Sequence, residues 1–512
     1  MNKETVENLY QKFLKEIEDI EILGQINQLL GWDYEVMMPT GGLDQRAKQF
    51  SWFGGFLHKK STDKQLGDLV NTIFSHKEFS KLSKAEKRNI ELYKKFYDRN
   101  VKIPQELVEE LAHHTTISIS KWKEAKKKNN FSIFLPYLEK SIALVKKKAQ
   151  YIDSKKPEYD VLLDYYEPKM DMKIYTEIFS NLKKSLIPLV EKITNSTNQP
   201  DLKIIKRFCP KEIQEKLSQD VIKVISYDLN HGRLDEAVHP FTTGKLDDVR
   251  ITTHIDENDF TDNLFSVLHE GGHGIFEQNL PREFRNQPVC NSPSMGFHES
   301  QSRFFENILG RSESFWTYYF PIFKKITGNI FEDVNIDDFL HAINNVEKSK
   351  IRTTADEVTY CLHIIIRYEL EKDLFDGKIQ PKDLPREWNK KMHEFFNIKI
   401  ENDAEGVLQD IHWADGDFGY FPTYALGNIY SAQIFHIMKN EISNIEDEIK
   451  KGNIKIVKEW LIENIYSKGA LFDPLDLIEE ISGEKINSDY FIHYLTEKYS
   501  KLYNLDLPIP KV

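Results

Sequence analysis

The sequence predicts a mostly α-helical protein with one small antiparallel β element, on three observations. Apolar residues recur at i, i+3, i+4 and i+7 between charged ones over much of the chain, the period of a helix with one buried face. Glycine (23) and proline (19) are scarce among 512 residues, which argues against turn-dense all-β or linker-rich architectures. One region, 234–257, drops the helical period for Pro, Gly, Thr-Thr pairs and short alternating runs.

In chain order, helical period runs over 4–30, 83–98, 105–128, 131–153 and 173–194. Ser83-Lys-Ala-Glu86 reads as a capping box opening the second of these. Pro104 lies near the first turn of the third, where its missing N–H costs nothing. Val249-Arg-Ile-Thr-Thr-His254 reads as a strand, so a small antiparallel ribbon is expected around it. Residues 414–427, rich in Gly and Tyr, read as irregular, and about 427–505 is helical again. No repeat or composition shift divides the chain. The reading is one unit over 1–512, with a helical part about 1–230, a site-bearing part about 231–430 and closing helices about 431–512.

Composition narrows the function. Apolar residues are 40% of the chain and aromatics 12%, ample for a core and incompatible with disorder. Net charge is 69 − 81 = −12, the wrong sign for a duplex nucleic-acid binder. The runs Lys126–Lys128 and Lys146–Lys148 sit among acidic residues and read as solvated helix faces. Cys209, Cys290 and Cys361 are few and far apart, which fits a reducing compartment. The N-terminal stretch is a charged amphipathic helix rather than a signal peptide, and no apolar run approaches a membrane span. The expectation is a cytoplasmic protein with no membrane or nucleic-acid partner.

Histidine placement points to a site. Six of the 16 histidines (His231, His239, His254, His269, His273, His298) fall within residues 231–298, and histidine is the commonest metal ligand. His269-Glu-Gly-Gly-His273 lies within apolar flanks that include Leu264, Phe265, Val267, Leu268, Ile275 and Phe276. On a helix, i and i+4 share a face, so two imidazoles there share one zinc ion. Glu270 stands beside the position of an activated water, as a general base would. Gly271 and Gly272 cost helix stability, about 1 kcal/mol each against Ala. They make sense if substrate or another backbone packs closely. A catalytic zinc wants a third protein ligand and an open position. His298 and Glu299 are both candidates, and pattern alone does not choose between them.

These motifs match a known family. His239-Pro-Phe241, Asp248-Val-Arg-Ile-Thr252, His269–His273, His298-Glu-Ser-Gln301, Ile351-Arg-Thr-Thr-Ala-Asp356 and Gly406-Val-Leu-Gln-Asp-Ile-His-Trp413 resemble the ordered motifs of the M32 metallocarboxypeptidases, the carboxypeptidase Taq type. Trp32-Asp33, Met38-Pro39 and Arg46-Ala47 are similar to its N-terminal stretch, so the resemblance covers essentially the whole chain. It implies a large helical zincin fold with a deep active-site cleft and a small sheet beside it, similar to the angiotensin-converting-enzyme and neurolysin type. It implies a homodimer and release of single residues from peptide C-termini with broad specificity, Pro disfavoured. Zinc is the implied metal, with cobalt able to substitute. The implied ligands are His269, His273 and Glu299, with Glu270 as general base.

An exopeptidase also has to recognise a terminal carboxylate, for which Arg offers a bidentate fork. Arg352 is favoured, with Asp356 and Glu357 nearby to orient it, and Arg250 is the second candidate. His412, Tyr420 and Tyr424 are candidate oxyanion donors, with Asp410 holding His412 and Gln409 lining the pocket. His239 reads as cleft wall rather than ligand, because the following proline places it in a turn. A zinc endopeptidase or dipeptidase on the same scaffold is the alternative activity. A non-catalytic helical scaffold is the alternative class, opposed by the intact ligand set.

Overall fold

In the computed structural model, which describes residues 4–512, the first helix begins where the Thr5 hydroxyl accepts from the Asn8 N–H. Residues 1–3 of the expected 1–512 unit lie outside the described residues. Helices α1 (Val6–Val36), α2 (Leu43–Ser61), α3 (Lys64–Phe74) and α4 (Lys84–Asn100) form the N-terminal lobe. Val6, Tyr10, Phe13 and Ile17 of α1 pack with Val70 and Ile73 of α3 and Ile90 and Tyr93 of α4 in a small core of their own. The predicted capping box is present: Ser83 and Glu86 exchange side-chain and backbone hydrogen bonds at the start of α4. The α2 helix contributes little to that core, and its Trp52 is 68% exposed.

The main body starts with α5 (Gln105–Lys128), α6 (Phe131–Ile152), α7 (Glu158–Tyr166), α8 (Met172–Thr194) and α9 (Lys211–Val224). The sheet follows, with β1 (Gly232–Glu236), β2 (Thr242–Lys245) and β3 (Asp248–Thr253) in the order β1-β3-β2. It is mixed rather than wholly antiparallel: β2 and β3 form a hairpin, but β1 runs parallel to β3. The link between β1 and β2 steps across one strand width, roughly 5 Å on each side. The hairpin then slots β3 into the middle.

The second half holds α10 (Phe260–Gln278), α11 (Met295–Arg303), α12 (Glu313–Thr327), α13 (Ile336–Ile343), α14 (Tyr360–Phe375), α15 (Leu384–Phe396), α16 (His412–Asp415) and α17 (Pro422–Glu441). A π-helical turn, Phe304–Leu309, continues α11 without a break. Residues 414–427 are less irregular than expected: α16 covers the first two, and α17 starts at Pro422, which occupies a first-turn position where proline is tolerated. The chain closes with α18 (Ile445–Lys450), α19 (Lys455–Asn464), α20 (Pro474–Ser482) and α21 (Asp489–Tyr503). Among the described residues no helix is long and apolar enough to cross a membrane.

Helices α10, α11 and α17 lie in the middle of the large core, buried on most of their surfaces. They meet at glycines. A Cβ on Gly272 of α10 would sit 2.5 Å from the Gln301 carbonyl oxygen and 2.9 Å from Ser302 Cα of α11. A Cβ on Gly427 of α17 would sit 2.5 Å from Glu299 Cγ. The reading of the double glycine as a close approach of another backbone is correct for Gly272, while Gly271 accommodates Ile222 and Ile225 of the α9 region.

Candidate active site

The Asp259 side chain caps α10, and two turns on the helix presents His269 and His273 on one face. Their Nε2 atoms face Glu299 Oε2 of α11 at 3.8 and 3.5 Å. One ligand atom from each of the three residues lies within 4.8 Å of the others. Two imidazoles and a carboxylate converging on one point fit a divalent ion of zinc type with a further position open. The other Glu299 oxygen accepts from Arg303 Nε at 2.7 Å. Burial works against the Glu299 charge, but Arg303 and the histidines outweigh it and hold its carboxyl well below the usual range. Burial also keeps His273 neutral, its pKa pushed down to about 3, the form in which an imidazole binds metal.

His298 does not join the cluster. It hydrogen-bonds with Glu277 at 3.0 Å and stacks its ring on that of His273, centroids 4.2 Å apart. Glu306 is a functional residue that the sequence reading missed. Its carboxylate accepts from His269 Nδ1 at 2.8 Å, which fixes the tautomer and leaves Nε2 facing the cluster. Arg303 bridges Glu299 and Glu306. A signal was present: Glu306 lies seven residues after Glu299, two turns along one helical face.

Glu270 is buried beside this cluster, and Thr242 of β2 donates to its Oε2 at 2.6 Å. Burial raises the Glu270 pKa above the ordinary carboxylate value. The small sheet thus serves the site directly, through a threonine the sequence reading left unassigned.

Arg352 lies in a short 3-10 turn, Arg352–Thr354, buried under aromatic rings. Its Nε donates to Asp410 at 2.9 Å and its Nη1 to the Tyr360 hydroxyl at 3.0 Å. Tyr424 and Phe421 flank the guanidinium at 5.2 and 5.8 Å. The orienting acid is therefore Asp410, not Asp356 or Glu357. Asp356 caps the Val358 and Thr359 N–H groups. Glu357 accepts from Tyr494, Tyr499 and Lys498.

Asp410 does not hold His412 either: its oxygens accept from Arg352 and Arg367. His412 instead hydrogen-bonds Tyr424 at 3.1 Å and packs on Phe421, centroids 4.3 Å apart. Burial pushes the His412 pKa down to about 3, so it stands as a neutral imidazole. Tyr420 meets the Tyr424 ring edge-on at 5.1 Å, and burial pushes its hydroxyl up to about 12. Gln409 is spent on structure rather than on a pocket. Its oxygen accepts from the Arg352 N–H and Arg367, and its nitrogen donates to the Lys350 and Glu405 carbonyls.

Two sequence candidates stand apart from the cluster. Arg250 pairs with Asp248 on its own strand and lies over Trp32 at 4.3 Å, with Arg233 over the same ring at 4.8 Å. It braces α1 against the sheet. His239 is exposed in the bend between β1 and β2, consistent with the turn expected from its proline and not with a ligand.

Comparison with known proteins gives one answer throughout. The family model described as carboxypeptidase Taq (M32) metallopeptidase matches residues 12–499. Carboxypeptidase 1 of Bacillus subtilis is 40% identical over 498 residues, covering 97% of this chain and 99% of that protein. Thermostable carboxypeptidase 1 of Thermus thermophilus is 37% identical over 509 residues, covering 98% of this chain and all of that one. The M32 carboxypeptidase structure from Deinococcus radiodurans superposes with a TM-score of 0.94 at 33% identity, over 97% of this chain and 99% of that chain. Metallocarboxypeptidase 1 of Trypanosoma cruzi gives 0.92 at 32%, over 97% of this chain and 100% of that chain. With the family motifs, the fold and full-length relatives in agreement, the chain belongs to the carboxypeptidase Taq (M32) family of metallopeptidases and is a metallocarboxypeptidase.

Proposed function

We propose that this metallocarboxypeptidase releases single amino acids from free peptide C-termini, with broad specificity and Pro disfavoured, using zinc held by His269, His273 and Glu299. Cobalt substitutes for it, and the enzyme works as a cytoplasmic homodimer. The observation that carries the reading is the convergence of those three side chains beside a buried carboxylate, Glu270. The bound ion supplies a positive centre that acidifies water and polarises a carbonyl. Glu270 takes the proton of the attacking water and delivers it to the leaving amine. Thr242 holds one Glu270 oxygen, leaving the other for that transfer. His412, Tyr420 and Tyr424 supply donors to the developing oxyanion. Arg352, within its aromatic surround, receives the terminal carboxylate.

The test is mass spectrometry of an unblocked peptide incubated with the zinc- or cobalt-loaded protein. A ladder losing one C-terminal residue per step is the expected result. Internal cuts would replace this reading with an endopeptidase, and cleavage of dipeptides alone with a dipeptidase. No cleavage by stoichiometrically loaded protein would remove the catalytic assignment. Glu306→Gln is expected to weaken zinc affinity about 10- to 100-fold, because the His269 orientation depends on it. Competition with a chelator of known affinity measures this, and unchanged affinity would show that Glu306 does not tune the ligand.

A further inference from the structure

Helix α14 carries two fully buried charged residues one turn apart, Arg367 and Glu371. Both point at the segment 409–419, which leads through His412 to Tyr420. Arg367 donates to Asp410 at 2.7 Å and to Gln409 at 2.8 Å, pinning the start of the segment. Glu371 accepts from the Trp413 indole N–H, the Gly419 backbone N–H and the Tyr159 hydroxyl, each at 2.8 Å. His412 therefore lies between two anchored neighbours, Asp410 and Trp413, and Tyr420 directly follows the third anchor. The far end has no slack. Gly419 has φ +85°, a left-handed conformation that favours glycine, and a Cβ there would come within 3.1 Å of Leu162.

A side chain that served packing alone would not be a carboxylate buried without a cation bonded to it. All three partners of Glu371 are donors. A carboxylate has acceptor capacity for all of them, whereas an amide would turn an N–H toward at least one. We infer that Glu371 is a positioning residue for the reaction, clamping Trp413 and Gly419 so that His412 is held where charge develops. This rests on the proposed role of His412. It gives Glu371 no contact with substrate or metal, and it leaves Arg352 to its own anchor, Asp410.

The signature follows from that division. A displaced donor costs turnover more than ground-state binding, and a misplacement of about 1 Å can cost on the order of a hundredfold. In Glu371→Gln, kcat on a free-acid peptide is expected to fall roughly 10- to 100-fold, KM to stay within about threefold, and zinc stoichiometry to stay unchanged. Because Glu371 acts through His412, the double variant E371Q/H412A should be no slower than H412A alone. Where E371Q does not fold, Trp413→Phe removes one of the three bonds and enters the same cycle, with a smaller loss in kcat expected. Parental kcat in the folded variant overturns the inference alone, provided H412A is slow. Losses that multiply in the double variant overturn it too. Parental kcat in H412A overturns the role of His412, and the inference with it.

Discussion

Glu270→Gln is expected to lower kcat by about 10²–10⁴-fold while the protein keeps its metal. The amide is nearly isosteric, and it still accepts from Thr242 through its carbonyl oxygen. It does not take a proton from water. None of the three converging ligand atoms belongs to Glu270, so metal content, read by elemental analysis, should match the parent. Turnover near the parental rate in metal-loaded protein would remove the general-base role and leave Glu270 as a buried brace for β2. The geometry favours the catalytic role: Thr242 holds one oxygen of this buried carboxylate and leaves the other for proton transfer.

The second large effect is expected at Arg352, and it should depend on the substrate's end group. Arg352→Ala is expected to lower kcat/KM on free-acid peptides by roughly a hundredfold, about 2–3 kcal/mol, the scale for truncating one partner of a buried charge pair. On the matching amidated peptides, which should be poor substrates, the change should be several-fold at most. An equal loss on both would exclude carboxylate recognition and reduce Arg352 to a partner of Asp410. Arg352→Lys separates charge from shape: it keeps the cation but lacks the planar fork that lies between Tyr360, Tyr424 and Phe421.

The sequence made legible whatever the site states locally. Two histidines one turn apart share a face wherever the helix packs, so His269, Glu270 and His273 were readable from spacing alone. The third residue to converge on them was not. His298 and Glu299 are adjacent and about 100° apart on a helix. Which one turns inward depends on how α11 is seated, and that is set by Gly272 and Gly427 on two other helices. The orienter of Arg352 was misread for a similar reason: Asp356 and Glu357 are near in sequence, but the acid that reaches the guanidinium is Asp410, 58 residues away. Glu306 escaped notice because its partner, His269, is on another helix 37 residues away. The strand at 249–254 was visible in its β-branched run, but the parallel partner was not, since a short pairing carries no signal for direction.

The backbone contact at Gly272 has a consequence for how the enzyme is charged with its ion. The distance between the two-histidine helix and the glutamate helix is fixed by main chain against main chain, with no side chain between them to give way. Arg303 and Glu306 hold Glu299 and His269 in place independently of any ion. Loading is then expected to fill a preformed site rather than to drive folding: removal of the ion with a chelator should leave the far-UV circular dichroism spectrum unchanged, and zinc added back should restore activity. A site that does not reshape itself is expected to select among first-row ions by geometry and ligand type as well as by supply.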